Sequence, residues 1–288
     1  MKKYFRFVIY IITSLIIIAI CLDITYTTVY KYSKSNRSVM QIVINQKNCE
    51  FDYILLGSSR VALHLDEKLL NEKYSLNGMN LGFAAAGTNE IMLLLEAMIE
   101  NNIKVGTLFV QLDFNWNYIS PNEFAYTIFM PFIHEKFIAE NLLQKPDNKK
   151  YYYIPFYRYI KYEPVIGFRN FIMNILNKKL IIETGYNPAK AKQFEGDKKF
   201  SYILNDKMNE NIEKIINICT QNNIKYVFYT SPIYNLTSNN EIFEKYLQSY
   251  NDFSHICNDL SFFNNATHLN DIGAKFFTEA FGTYYFER

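Results

Sequence analysis

The sequence predicts an α/β fold: a three-layer α/β/α arrangement around a mainly parallel sheet, preceded by one N-terminal apolar helix and interrupted by an insertion. Short apolar runs of strand length alternate with segments of helical period. The loops between them are short, as in parallel sheets covered on both faces. Between about 118 and 205 the alternation is lost, which predicts the insertion. The 288 residues suffice for one large domain, or one domain with an insertion. Hydrophobic residues make up 49% and charged ones 20%, so a packed core is within reach and global disorder is excluded.

The first element is "MKKYFRFVIYIITSLIIIAICL". Lys2, Lys3 and Arg6 precede an apolar run from Phe7 to Leu22, roughly 16 residues against the ~20 of a full span. Tyr4, Phe5 and Tyr26 suit the two interfaces. The basic end is expected in the cytoplasm and the main domain outside it, with a single-pass anchor over residues 1–24. A cleaved signal peptide would need small residues at its cleavage site, of the A-x-A kind, and no convincing site of that kind stands before Asp23. A lipid anchor at Cys21 would want a small residue where Ile20 stands. Residues 25–50 read as a helical stalk, and 51–288 as the domain.

Within the domain, "FDYILLG" (51–57) is a strand and "LDEKLLNEKY" (65–74) a short helix. "SLNGMNLGF" (75–83) holds a short strand or a turn. "TNEIMLLLEAMIENNI" (88–103) is a strong helix, with Thr88 or Asn89 as its cap. "VGTLFVQLDF" (105–114) is a second buried strand. After the insertion come an amphipathic helix (205–224), the apolar strand "KYVFYTSP" (225–232) and a helix (241–251). "FSHICN" (253–258) reads as an edge strand and 270–286 as the closing helix. The insertion contains "KYYYIPFYRYIKYEPVIGF", rich in Tyr and broken by Pro155 and Pro164. It is read as a cap over the open end of the sheet, with Tyr of 151–162 as candidates to stack on sugar rings.

Composition narrows the partners. The formal net charge of +2, from 30 basic and 28 acidic residues, gives no electrostatic case for nucleic acid. The four cysteines, Cys21, Cys49, Cys219 and Cys257, show no C-x-x-C spacing, so they read as buried thiols with at most one disulfide. Neither a metal nor any other cofactor is expected.

In open parallel sheets ligands bind at the carboxyl ends of the strands. Three polar clusters fall there: "GSSR" (57–60), "DFNWN" (113–117) and "NNATHLND" (264–271). Ser59 follows the first strand at a helix start, where backbone N–H groups can receive an oxyanion. It is either a nucleophile or a helix cap. A serine nucleophile needs a base, and of the four histidines His268 is best placed, in a polar loop before a helix. Arg60 either binds an anionic or sugar substrate or pairs with a carboxylate.

These residues resemble the blocks of the SGNH/GDSL hydrolase superfamily, and especially its membrane-anchored extracytoplasmic branch associated with polysaccharide O-acetylation. "YILLGSSR" resembles the first block, whose G-x-S serine maps to Ser59. "NATHLNDIGAKFF" resembles the last, D-x-x-H, whose histidine maps to His268. The match covers about 53–117 and 226–286, not the insertion. The resemblance implies a flavodoxin-like SGNH fold and Ser–His acyl chemistry. It also implies oxyanion donors at Gly82 or Gly87 and at Asn115, although no clean G-x-N-D is present. The family aspartate three residues before the histidine is here Asn265. An aspartate stabilises the imidazolium formed on proton transfer; in a serine protease its exchange for Asn lowers turnover by about 10⁴. The implied function is an acyl esterase or O-acetyltransferase acting on a cell-envelope or exported polysaccharide. Its partners would be that carbohydrate and a membrane acyl-carrier protein. The alternative is a catalytically inactive binding or scaffold protein of polysaccharide assembly.

Overall fold

The computed structural model describes residues 1–176, 184–192, 194 and 199–287; residues 177–183, 193 and 195–198 of the expected insertion, and Arg288, lie outside the described residues. Contacts divide the chain into two compact units, one of Met1–Asn45 and Tyr126–Glu183, the other of Gln46–Ala125 and Thr184–Arg288. The first unit opens with helices α1 (Lys2–Tyr32) and α2 (Val39–Asn45). The second begins with β1 (Glu50–Leu56), α3 (Ser59–His64), α4 (Glu67–Tyr74), β2 (Gly78–Asn80), α5 (Thr88–Glu100) and β3 (Lys104–Gln111). Helix α6 (Glu123–Tyr126) is followed by α7 (Lys136–Leu143), α8 (Lys149–Tyr153), α9 (Tyr157–Lys161), α10 (Glu163–Ile166) and α11 (Phe168–Ile175) of the first unit. The second unit resumes with β4 (Phe200–Ser201), α12 (Glu210–Gln221), β5 (Lys225–Thr230), β6 (Leu236–Thr237) and α13 (Glu241–Tyr246). It ends with β7 (Tyr250–Asp252), β8 (Phe263–Asn265), β9 (His268–Leu269) and α14 (Asp271–Phe286).

The second unit is an α/β fold around a five-stranded sheet of order β2-β1-β3-β5-β7, every pair parallel. Tyr53, Ile54, Leu55 and Leu56 are wholly buried, as a central parallel strand requires. From β1 the chain crosses to β2 on one side and returns to β3 on the other. That reversal makes the carboxyl ends of β1 and β3 the topological switch point, the usual ligand site of such sheets. The fifth strand is Tyr250–Asp252, not the more apolar 253–258. Its polar edge residues are held by pairing with β5 and by a 2.7 Å bond between Tyr250 and Thr230 hydroxyls, a non-local cause. Helix α5 is capped by Gly87 rather than Thr88 or Asn89, because the Glu90 carboxylate accepts the Gly87 N–H at 2.9 Å.

Part of the expected insertion belongs to this unit. The Gly185 N–H donates to Asn80 O (2.6 Å), the Asn187 N–H to Ala62 O (2.7 Å), and β4 pairs with β6. All four cysteines are free thiols.

The first unit is helical among its described residues. Helix α1 runs unbroken past the end of its apolar run, and it is long and apolar enough to cross a membrane. The expected stalk, 25–50, does not stand alone: residues up to Asn45 group with 126–183. The physical cause starts at Asp23. Its carboxylate accepts from Arg158 Nη1 (2.7 Å), Arg158 Nη2 (2.8 Å) and the Phe156 N–H (2.7 Å). One turn on, Tyr26 stacks on Phe171 at 3.9 Å between ring centres. Of the Tyr-rich stretch, Tyr151 is buried and packs against Tyr157 and Tyr162 within this unit, whereas Tyr153 is exposed.

Candidate active site

Ser59 opens α3 directly after β1. The intervening Gly57 has φ +158°, and a Cβ there would lie 2.5 Å from Val61 Cγ2 and 2.8 Å from Gln111 Cβ, so glycine is required for the turn. Ser58, not Ser59, caps α3: its Oγ accepts the Arg60 N–H at 3.3 Å and donates to Gln111 Oε1 at 2.7 Å. The Ser59 hydroxyl is thereby left for another partner, and lies 2.8 Å from His268 Nε2. The Ser59 N–H, at the first position of the helix, has no intrahelical acceptor.

The N-x-x-H spacing is a hairpin. Asn265 on β8 and His268 on β9 are cross-strand partners about a two-residue turn. The Asn265 side chain folds back over that turn, its Oδ1 accepting the Thr267 N–H at 3.0 Å and the Thr267 hydroxyl at 3.1 Å. Two donors on one atom define which end of the amide is oxygen. The same Oδ1 lies 3.1 Å from His268 Nδ1, so that nitrogen carries the proton and Nε2 is free to accept from Ser59. Burial, and secondarily the Arg60 charge, push His268 down to about 4, so its ring is neutral at neutral pH.

A buried polar network underlies the pair. Arg60 forms an ion pair with Asp113, and both are buried. Phe114 lies under the guanidinium at 4.9 Å from its ring centre. Asp113 also accepts from the Gln111 side-chain amide and, at 2.9 Å, from the Asn115 N–H. Arg60 is thus committed to a carboxylate inside the fold. Its charge acts on His268 through space.

The expected oxyanion donors separate. The Gly82 N–H is taken by Asn80 Oδ1 (2.8 Å) and the Gly87 N–H by Glu90 (2.9 Å), so neither is free to receive an oxyanion. Gly82 serves packing instead: a Cβ there would meet Val61 Cβ at 2.5 Å and the Ala62 nitrogen at 2.6 Å on α3. Asn115 is different. Its Oδ1 accepts the Asp113 N–H at 3.1 Å, while its Nδ2 is buried and makes no hydrogen bond. A buried amide donor left open is costly unless a ligand completes it.

Sequence reasoning passed over His64. It is fully buried at the end of α3, and its Nε2 accepts the Leu269 N–H at 3.0 Å. Burial, then His268 and Arg60, hold it well below its ordinary value, so it is neutral and acts as a strut. It ties the strand carrying His268 to the helix carrying Ser59. Asn80 steadies the same helix by donating to Val61 O (2.9 Å) and Leu65 O (2.7 Å). No protein-family model matches the chain, and no curated protein is significantly similar to it in sequence.

Proposed function

We propose that the α/β unit is an SGNH-like three-layer domain, an acyl esterase or O-acetyltransferase of the extracytoplasmic face acting on a cell-envelope or exported polysaccharide. Support for the layers comes from α5 packing on α12, and α14 on α3 and α4. Support for the chemistry rests on one observation: the line from Ser59 Oγ through the His268 ring to Asn265 Oδ1, at 2.8 and 3.1 Å. Ser59 attacks the acyl carbonyl as His268 Nε2 takes its proton. The Ser59 N–H and Asn115 Nδ2 receive the oxyanion. The imidazolium returns the proton to the leaving group, leaving an acyl-Ser59 ester. Water or a sugar hydroxyl then attacks that ester, with His268 again as base; which one enters decides hydrolysis or transfer. Helix α1 holds the domain outside the cytoplasm, beside a membrane protein that carries the acyl group.

A fluorophosphonate probe tests this reading. Labelling of the full-length protein is expected, and is lost in Ser59→Ala and reduced in His268→Ala. Folded wild-type protein that takes no label at Ser59 sinks the enzymatic reading. It leaves the non-catalytic binding or scaffold role, which draws its own support from the uncharged, exposed Asn265 and from the occupied N–H groups of Gly82 and Gly87.

A further inference from the structure

Helix α1 is apolar over roughly 16 residues, about 24 Å at 1.5 Å per residue, some 6 Å less than a typical ~30 Å hydrocarbon core. The helical unit has an unusual apolar surface at the height where that run stops. Asp23, the first residue after it, holds the Phe156 N–H and Arg158. Ile154 and Ile160 flank those two residues and are each more than half exposed. Helix α11 fixes the same height independently. Its Phe171 stacks on Tyr26, and its Asn174 carbonyl accepts from Ser33 at 3.1 Å, so α11 runs in the same sense as α1. Phe168 therefore lies one turn nearer the apolar run than Phe171, and it too is more than half exposed. Tyr153, also exposed, precedes Ile154.

We infer that Tyr153, Ile154, Ile160 and Phe168 form a collar that sinks into the lipid interface around α1. Exposed apolar side chains grouped on one surface mark an interaction site. Lipid is the occupant that both the height and the shortfall of the span call for: a short span draws flanking groups into the bilayer, and aromatic and aliphatic side chains favour its interface. The Asp23–Arg158 pair then has a purpose. It buries and neutralises the Asp23 carboxylate, which would otherwise enter the interface unpaired. This inference rests on the reading of α1 as a membrane span.

The test uses the full chain with Cys21 and Cys49 changed to Ser, the other two cysteines being buried. Single variants Ile154→Cys, Ile160→Cys and Phe168→Cys carry an environment-sensitive fluorophore in phosphatidylcholine–phosphatidylglycerol vesicles. Ile16→Cys reports the span. Lys136→Cys reports water, since its neighbour Glu135 pairs with Lys31, eight residues or about 12 Å beyond Asp23 along α1. The collar labels are expected to be quenched by lipids bearing a spin label near the headgroup, and several-fold less than the Lys136 label by iodide. Collar labels as open to iodide as the Lys136 label, with the Ile16 label still in lipid, overturn the collar and leave the anchor standing. An Ile16 label open to iodide overturns the anchor, and the collar with it. Collar labels shielded from both quenchers overturn lipid as the occupant in favour of protein.

Discussion

Replacing Asn265 by Asp adds one charge to the hairpin and changes little else. The carboxylate can still accept the Thr267 N–H and hydroxyl that now bond Oδ1, and no described bond of the amide nitrogen is lost. Oδ1 is 3.1 Å from His268 Nδ1. A carboxylate there lies about 4 Å from the centre of the imidazolium charge, worth ~1 kcal/mol in bulk water and ~4 kcal/mol at an effective dielectric of 20. Position 265 is exposed, so the gain belongs near the lower end. About 1–2 kcal/mol of added stabilisation of the imidazolium is about 5- to 30-fold in rate where proton transfer limits it. That is well below the ~10⁴ measured for the same exchange in the buried site of a serine protease. The assay is the pseudo-first-order rate of fluorophosphonate labelling, alongside hydrolysis of a p-nitrophenyl ester, for wild type, Asn265→Asp and Asn265→Ala. The expected order is Asp fastest and Ala slowest. If Asp is slower than wild type while Ala equals it, Asn265 does not orient the ring, and the electrostatic argument is wrong.

Three further outcomes follow from the buried charges. His268 is held at about 4 with its neutral form as the base, so wild-type labelling should be flat across neutral pH and fall only below about 5; Asn265→Asp should move that midpoint up, as a rate profile will show. Glu67 is buried with neither carboxylate oxygen in good hydrogen-bond geometry, and burial raises it to about 7, its own backbone N–H and then Thr184 only partly offsetting the cost. A carboxyl raised on folding adds stability below its unfolded value, and that contribution is lost as pH climbs through 7. Glu67→Gln should therefore raise the melting temperature at pH 8 and change it little at pH 5. Asp113→Asn strands the buried Arg60 charge and should cost about 3–5 kcal/mol in urea unfolding, whereas Arg60→Met with Asp113→Asn should recover part of that loss.

The parts of the site that were legible in the sequence are those defined by local geometry. A glycine between an apolar strand and a helix start marks a sharp turn, and Ser59 follows it. Two residues between Asn265 and His268 are what a tight hairpin needs to set them opposite each other. The strands that could be read, β1, β3 and β5, are buried on both faces toward their carboxyl ends and so spell apolar runs there. β7 carries Tyr-Asn-Asp and is a strand only because β5 lies beside it. Pairings across long separations left no such trace. Nothing near Arg60 announces Asp113, 53 residues on, and nothing near His64 announces the Leu269 N–H, 205 residues on.

Asp23 is the instructive case, because its signal was present and pointed elsewhere. A carboxylate directly after an apolar run reads as the place where a helix leaves the membrane for water. A stalk in water would leave Tyr26 and Tyr30 exposed as well. In the fold all three are buried; the Tyr-rich stretch that lacked strand periodicity supplies Arg158 and Tyr159 as partners, and α11, which follows it, supplies Phe171. The aromatic excess that suggested a sugar platform is spent in part on packing this helix end. A surface for carbohydrate on that unit would have to be built from what is left exposed, and two of its exposed aromatic rings, Tyr153 and Phe168, already belong to the inferred lipid collar. Sugar recognition is therefore better sought in the α/β unit, among the groups that follow β1 and β3.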